Sequence, residues 1–228
     1  MVISYRQEIP MDLQSILQTW INVLTKPGEA AFAAEREKTS ATLSTAVLWI
    51  ISSSIIAALL GALRSSVFSS AMGGFGQIVD LLPPEIQGEF GSIAETGAAG
   101  GAAFSFATIV IGPISFLIGV GIYHLIAIVL GGRGQYGRYA YLAATYSAPL
   151  MIVGSVLGFI PGLGGCLTMI LGIYQVVLTY FAVKVEYGLS QGRAIVVVAV
   201  PVLAVLGLAI CLATVVVGTL VAVFGGSQ

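Results

Sequence analysis

Polar and apolar positions in this chain of 228 residues separate into long blocks. Five apolar stretches occupy residues 43–63, 103–130, 141–160, 163–183 and 194–224. Each reaches the ~20 residues that a helix rising 1.5 Å per residue needs to cross ~30 Å of hydrocarbon. The predicted fold class is all-α, a polytopic integral membrane protein with five transmembrane helices. Residues 43–224 form the membrane domain, 1–42 a polar arm, 64–102 its one long connection and 225–228 a short tail.

Inside the arm the pattern takes on a helical period. Leu13, Ile16, Leu17, Trp20 and Leu24 recur at helical spacing, Asp12, Gln14, Gln18 and Asn22 fall between them, and Pro27 closes the segment. This predicts an amphipathic helix of about 12 residues at the membrane interface or against the end of the bundle. The following run Ala34 to Lys38 reads as a solvated helix turn.

Small residues predict how the spans meet. Ser53, Ala57 and Gly61 make a ridge on the first span, and Gly154 and Gly158 a close-packing pair on the third. Gly112-Pro113 interrupts the second stretch, which predicts a kink or a long tilted helix. The short uncharged turn FIPGLGG makes the third and fourth spans an antiparallel hairpin. The connection 64–102 reads as short amphipathic turns broken by Pro83-Pro84.

Charge then orients the spans. Arg6, Lys26, Arg36 and Lys38 precede the first span, Arg133 and Arg138 separate the second from the third, and Lys184 and Arg193 separate the fourth from the fifth. A cytoplasmic N-terminus and an external C-terminus put eight of the nine basic residues inside, leaving only Arg64 outside. The arm is then cytoplasmic and the 64–102 connection external. The start of the chain has no basic segment ahead of a short apolar one, so the first span is expected to act as the insertion signal.

Composition agrees, since a chain with 8% charged residues cannot coat a soluble core. It has no basic patch for nucleic acid. Cys166 and Cys211 lie in apolar sequence and are expected to be buried free thiols.

Candidate chemistry is sparse. Asp80, Glu85, Glu89 and Glu95 lack the spacing of a calcium loop, and the single His124 excludes a histidine metal cluster, so neither a metal nor a cofactor is expected. No Walker loop, HExxH or glycine-rich nucleotide fingerprint occurs, and the spans contain no Asp. Ser147 and His124 lack a supporting oxyanion motif, so no catalytic residue is expected. His124, Tyr146 and Ser147 fall ~9 Å inward from the cytoplasmic ends of their spans, Gln175 ~12 Å, and Tyr180 in the same third. Polar groups at that depth need partners. They predict either interhelical hydrogen bonds or the lining of a cytoplasm-facing polar cavity.

The segment GGRGQYGRYAYLAATYSAPLMIV together with five spans resembles the Yip1 domain family. The matching residues are Gly131-Gly132, Tyr136, Tyr146, Ser147, Pro149 and the IPGLGG turn, with Trp20, Leu24 and Pro27 upstream as in prokaryotic relatives. Eukaryotic relatives reside in endoplasmic reticulum and Golgi membranes, bind Rab-type GTPases and one another, and act in vesicle trafficking. This chain departs from them in its short arm, which lacks the DLYGP motif, and in a YSAP segment one residue shorter than YSLxP. The resemblance thus implies the fold more than any Rab-related activity, in a prokaryotic plasma membrane. The partners expected are the lipid bilayer and either other membrane proteins or a second copy of the chain. The leading function is a non-enzymatic membrane-organising or partner-binding scaffold. The alternative is a channel or transporter for a small solute or lipid.

Overall fold

The computed structural model describes residues 13–79, 84–160 and 163–225, with the side chains at 68–102, 104, 216 and 220–225 left aside. Among the described residues seven helices follow in order: α1 Leu13–Thr25, α2 Glu29–Arg36, α3 Leu43–Val79, α4 Pro84–Val129, α5 Tyr136–Leu157, α6 Leu163–Tyr187 and α7 Gln191–Gly225. Five of them contain a segment long and apolar enough to cross a membrane: Leu43–Val67, Ser105–Val129, Tyr136–Leu157, Leu163–Tyr187 and Gln191–Thr219. The described residues contain no strand.

The connection read as short turns is largely helix. Helix α3 continues to Val79 and α4 begins at Pro84, on either side of residues 80–83. An Ala-, Gly- and Ser-rich stretch with few charges has little to gain from leaving the helix, where each backbone N–H keeps its partner. Pro84 opens α4, where its missing N–H costs nothing. Helix α4 also runs on through Pro113. Arg6, Asp80, Pro83 and residues 226–228 lie outside the described residues, as do the side chains of Glu85, Glu89 and Glu95.

Helix α3 packs along α4 on one side and α5 on the other, α6 lies against α5, and α7 against α6 and α4. The starts of α3, α5 and α7 and the ends of α4 and α6 therefore gather at one end of the bundle, the end that carries the arm. Helix α5 is central, with every residue from Tyr139 to Tyr146 buried. Its alanines 140, 143, 144 and 148 let neighbours approach closely.

Two reciprocal crossings hold α3 on α4. A Cβ on Gly61 would lie 2.6 Å from Ser105 Oγ, and one on Gly112 would lie 2.7 Å from Ser54 Oγ. Gly61 thus works as the ridge predicts. The Gly154/Gly158 pair does not form the tightest contact. A Cβ on Gly154 would only reach ordinary distance from Thr168, whereas one on Gly164 would sit 2.5 Å from the Leu157 carbonyl.

The cysteines are not buried: Cys166 and Cys211 are free but exposed on the outer surfaces of α6 and α7. Their apolar surroundings are lipid rather than protein. Around Cys211, every residue from Leu203 to Val215 is exposed, so α7 turns an apolar surface outward on all sides there.

Candidate functional site

The arm folds back into the bundle. Val23 of α1 and Phe32 of α2 are fully buried. Trp20 meets Trp49 of α3 edge-on at 5.9 Å, Trp49 meets Tyr141 of α5 at 5.3 Å, and Phe32 meets Tyr146 at 6.1 Å. Tyr174 Oη donates to the Leu24 carbonyl at 2.6 Å, giving one of the open carbonyls at the end of α1 a partner. Tyr174 lies ~20 Å along α6 from its end at Tyr187. The α1–α2 turn therefore reaches deep along the bundle, as a wedge of two short helices.

Helix α1 is amphipathic, as its spacing predicts, but its apolar residues divide between two faces. Ile16, Trp20, Val23 and Leu24 pack on the bundle, while Leu13, Leu17 and Ile21 form an outward stripe beside exposed Gln14, Gln18 and Asn22. The run Ala34 to Lys38 is only partly solvated: Ala34, Glu37 and Lys38 are exposed, Glu35 is not. Glu35 is buried, accepts from Tyr141 Oη at 3.1 Å and takes the Lys38 ammonium at 2.7 Å, which also reaches Thr19 Oγ1 at 2.8 Å. Burying Phe32 one turn earlier on α2 draws Glu35 inward with it.

A second buried carboxylate ties three elements together. The Glu186 side chain is fully enclosed near the end of α6. Its Oε1 accepts the Gln135 backbone N–H at 2.7 Å, at the cap of α5, where a helix N-terminus favours negative charge. Arg36 Nε lies 3.2 Å from Oε2 and Arg138 Nε 3.7 Å from Oε1. Both are ionic contacts without hydrogen-bond alignment. Arg36 also donates to the Val185 carbonyl at 3.3 Å. Sequence reasoning missed Glu186 as a centre, although a signal existed: it is the only carboxylate side chain after Glu95.

The glycine-rich loop after α4 closes over this carboxylate. Gly131 has φ +89°, and Gly131 N–H and Gly132 N–H return to the carbonyls of Ile128 and Ala127, ending α4 in a Schellman turn. A Cβ on Gly132 would lie 2.8 Å from Tyr187 Cβ, and one on Gly134 would lie 2.5 Å from the Tyr187 ring. Below the loop, His124 Nδ1 pairs with Tyr187 Oη at 2.7 Å, with Tyr136 and Tyr139 packed around that pair. Tyr136 Oη reaches the Leu117 carbonyl at 3.0 Å.

The residues expected to form a polar layer divide among separate pairings. His124 joins Tyr187, and Tyr146 Oη joins Thr179 Oγ1 at 2.9 Å. Ser147 is half-buried and Pro149 buried on α5. The Gln175 side chain is exposed, while its backbone carbonyl accepts from Thr179 Oγ1. Tyr180 meets Phe181 edge-on and lines an apolar cleft of about 380 Å³ between α6 and α7. The described residues contain no group of three His, Cys, Asp or Glu placed to hold a metal.

A family model, the Yip1 domain, matches residues 21–224, from the second half of α1 almost to the end of α7. The chain belongs to the Yip1 domain family. Neither curated proteins nor solved structures gave a match. The residues on which the sequence resemblance was read lie in the arm, the α4–α5 corner and the middle of α5, with Trp20 just ahead of the matched range. Trp20 and Pro27 belong to the wedge, Gly132 and Tyr136 to the closing loop, and Tyr146 sits beneath Phe32.

Proposed function

We propose that this Yip1 domain protein is a non-enzymatic membrane-organising scaffold that meets partner membrane proteins at the arm end of its bundle. The observation that carries this reading is the clamp of Arg36 and Arg138 on buried Glu186, which holds the arm as part of the bundle. A held arm presents one constant surface, in which Leu13, Leu17 and Ile21 continue the outward apolar faces of the spans. The buried hydroxyls of Tyr141 and Tyr146 are taken up by Glu35 and Thr179, an arrangement that suits packing rather than passage of a solute. Arg36, Lys38, Arg133, Arg138, Lys184 and Arg193 lie at the arm end, which supports a cytoplasmic placement of that end.

The test is photo-crosslinking inside the native membrane from a reactive side chain at Gln18. The intact chain should crosslink to a reproducible set of membrane proteins or to a second copy. Arg36→Ala should lose that set while all five spans still insert. An unchanged set, or solute flux in proteoliposomes that His124→Ala abolishes, would overturn the reading.

A further inference from the structure

The cleft between α6 and α7 has a register that continues to the arm end. Its walls include Val176 and Tyr180 on α6 and Val198, Ala199 and Val202 on α7, and its lining is apolar. Lys184 stands one turn beyond Tyr180 on the same face of α6, with its ammonium 6.0 Å from the Tyr180 ring centre. Gln191, one turn before Ile195, stands at the α7 side of the same mouth. The Lys184 ammonium is bonded to the exposed carboxylate of Glu29 on α2. The mouth of an apolar cleft thus carries one cation and one anion side by side.

We propose that this cleft holds an acyl chain of a zwitterionic aminophospholipid, with its phosphate on Lys184 and its ammonium on Glu29. Both helices carry membrane-spanning segments, so hydrocarbon chains are what surround the open side of the cleft. Its volume is within the ~300–1,000 Å³ of small-molecule sites, but its lining offers no polar group to orient a soluble ligand. The headgroup has its own partners at the mouth. An exposed ion pair holds little net energy, so parting Lys184 from Glu29 costs little. Each then regains a charge-assisted hydrogen bond, to phosphate and to ammonium respectively. A singly anionic phospholipid would satisfy Lys184 and leave Glu29 facing a second negative charge. The proposal goes beyond the scaffold reading, with which it shares only the placement of α2 that brings Glu29 to Lys184.

The test uses the full-length protein in detergent with phosphatidylethanolamine or phosphatidylglycerol carrying a photoreactive group in one acyl chain. After irradiation, labelled positions are mapped by mass spectrometry. The label should concentrate in residues 176–180 and 195–203 and favour phosphatidylethanolamine several-fold. Ala199→Trp, which fills the cleft, should lower labelling by roughly tenfold for both lipids. Glu29→Gln should equalise the two lipids, and Lys184→Ala should weaken both. Val202→Phe provides a second filler if Ala199→Trp does not fold. Label spread evenly over the outer faces of α3 and α4, labelling that neither filler changes, or equal labelling of both lipids by the unsubstituted protein would overturn the proposal.

Discussion

Arg36 and Glu186 are 3.2 Å apart, although one belongs to the arm before the first span and the other to the end of the fourth. Glu186 is enclosed while Arg36 keeps about a third of its side chain exposed (32%), so the arm covers the carboxylate from outside. Removing one partner of a buried pair is costly because it strands the other charge. Glu186→Gln leaves Arg36 and Arg138 facing each other and should lower stability by ~3 kcal/mol, measured by thermal unfolding in detergent. Unfolding indistinguishable from that of the unsubstituted chain would mean the carboxylate is not the centre of the clamp.

Arg36→Ala and Arg138→Ala should differ. Only Arg36 reaches from the arm, so only its loss should speed hydrogen exchange across α1 and α2. Arg138→Ala should affect the start of α5 instead. Equal exchange in the two variants would show that the arm is held by its other contacts with the bundle and not by Arg36.

Tyr174→Phe removes the hydroxyl that caps the Leu24 carbonyl. A neutral hydrogen bond of this kind contributes ~1 kcal/mol net. The expected result is faster exchange in residues 22–30 with α3 to α7 unchanged. Exchange unaltered there would argue against a wedge anchored at depth.

Gly134→Ala drives a methyl into the Tyr187 ring and should cost ~1–3 kcal/mol through overpacking. Combining it with Tyr187→Ala should recover part of that loss, since the obstructing ring is gone. Additive losses in the double variant would place the strain elsewhere.

Gly112→Ala should likewise destabilise the α3–α4 crossing, where the new Cβ would meet Ser54 Oγ at 2.7 Å. Ser54→Gly in the same chain should restore most of the loss, read from the melting temperature. If Ser54→Gly gives no rescue, α3 and α4 do not cross through this pair.

The span count was legible because a long apolar stretch has few alternatives. In hydrocarbon each stretch must satisfy its own backbone, and a helix does so with local contacts alone. The shift from long blocks to helical spacing at Leu13 to Leu24 marked α1 for the same reason. The 64–102 segment was misread as turns because its glycines and prolines were weighed without the helices on either side, which simply continue. His124 and Tyr146 were rightly expected to need partners. Depth alone could not show that those partners are Tyr187 and Thr179 rather than each other, because depth gives no azimuth around a helix.

By itself the sequence determined that this is a chain of apolar helices with one amphipathic arm and a charge bias toward one end. Those properties follow from the local balance of hydrocarbon solvation and backbone hydrogen bonding. Only the tertiary structure decided that Glu35 and Glu186 are buried, that the arm wedges into the bundle, and that Lys184 and Glu29 meet above an apolar cleft. These depend on which faces of distant helices turn toward one another, and side-chain packing between them sets that.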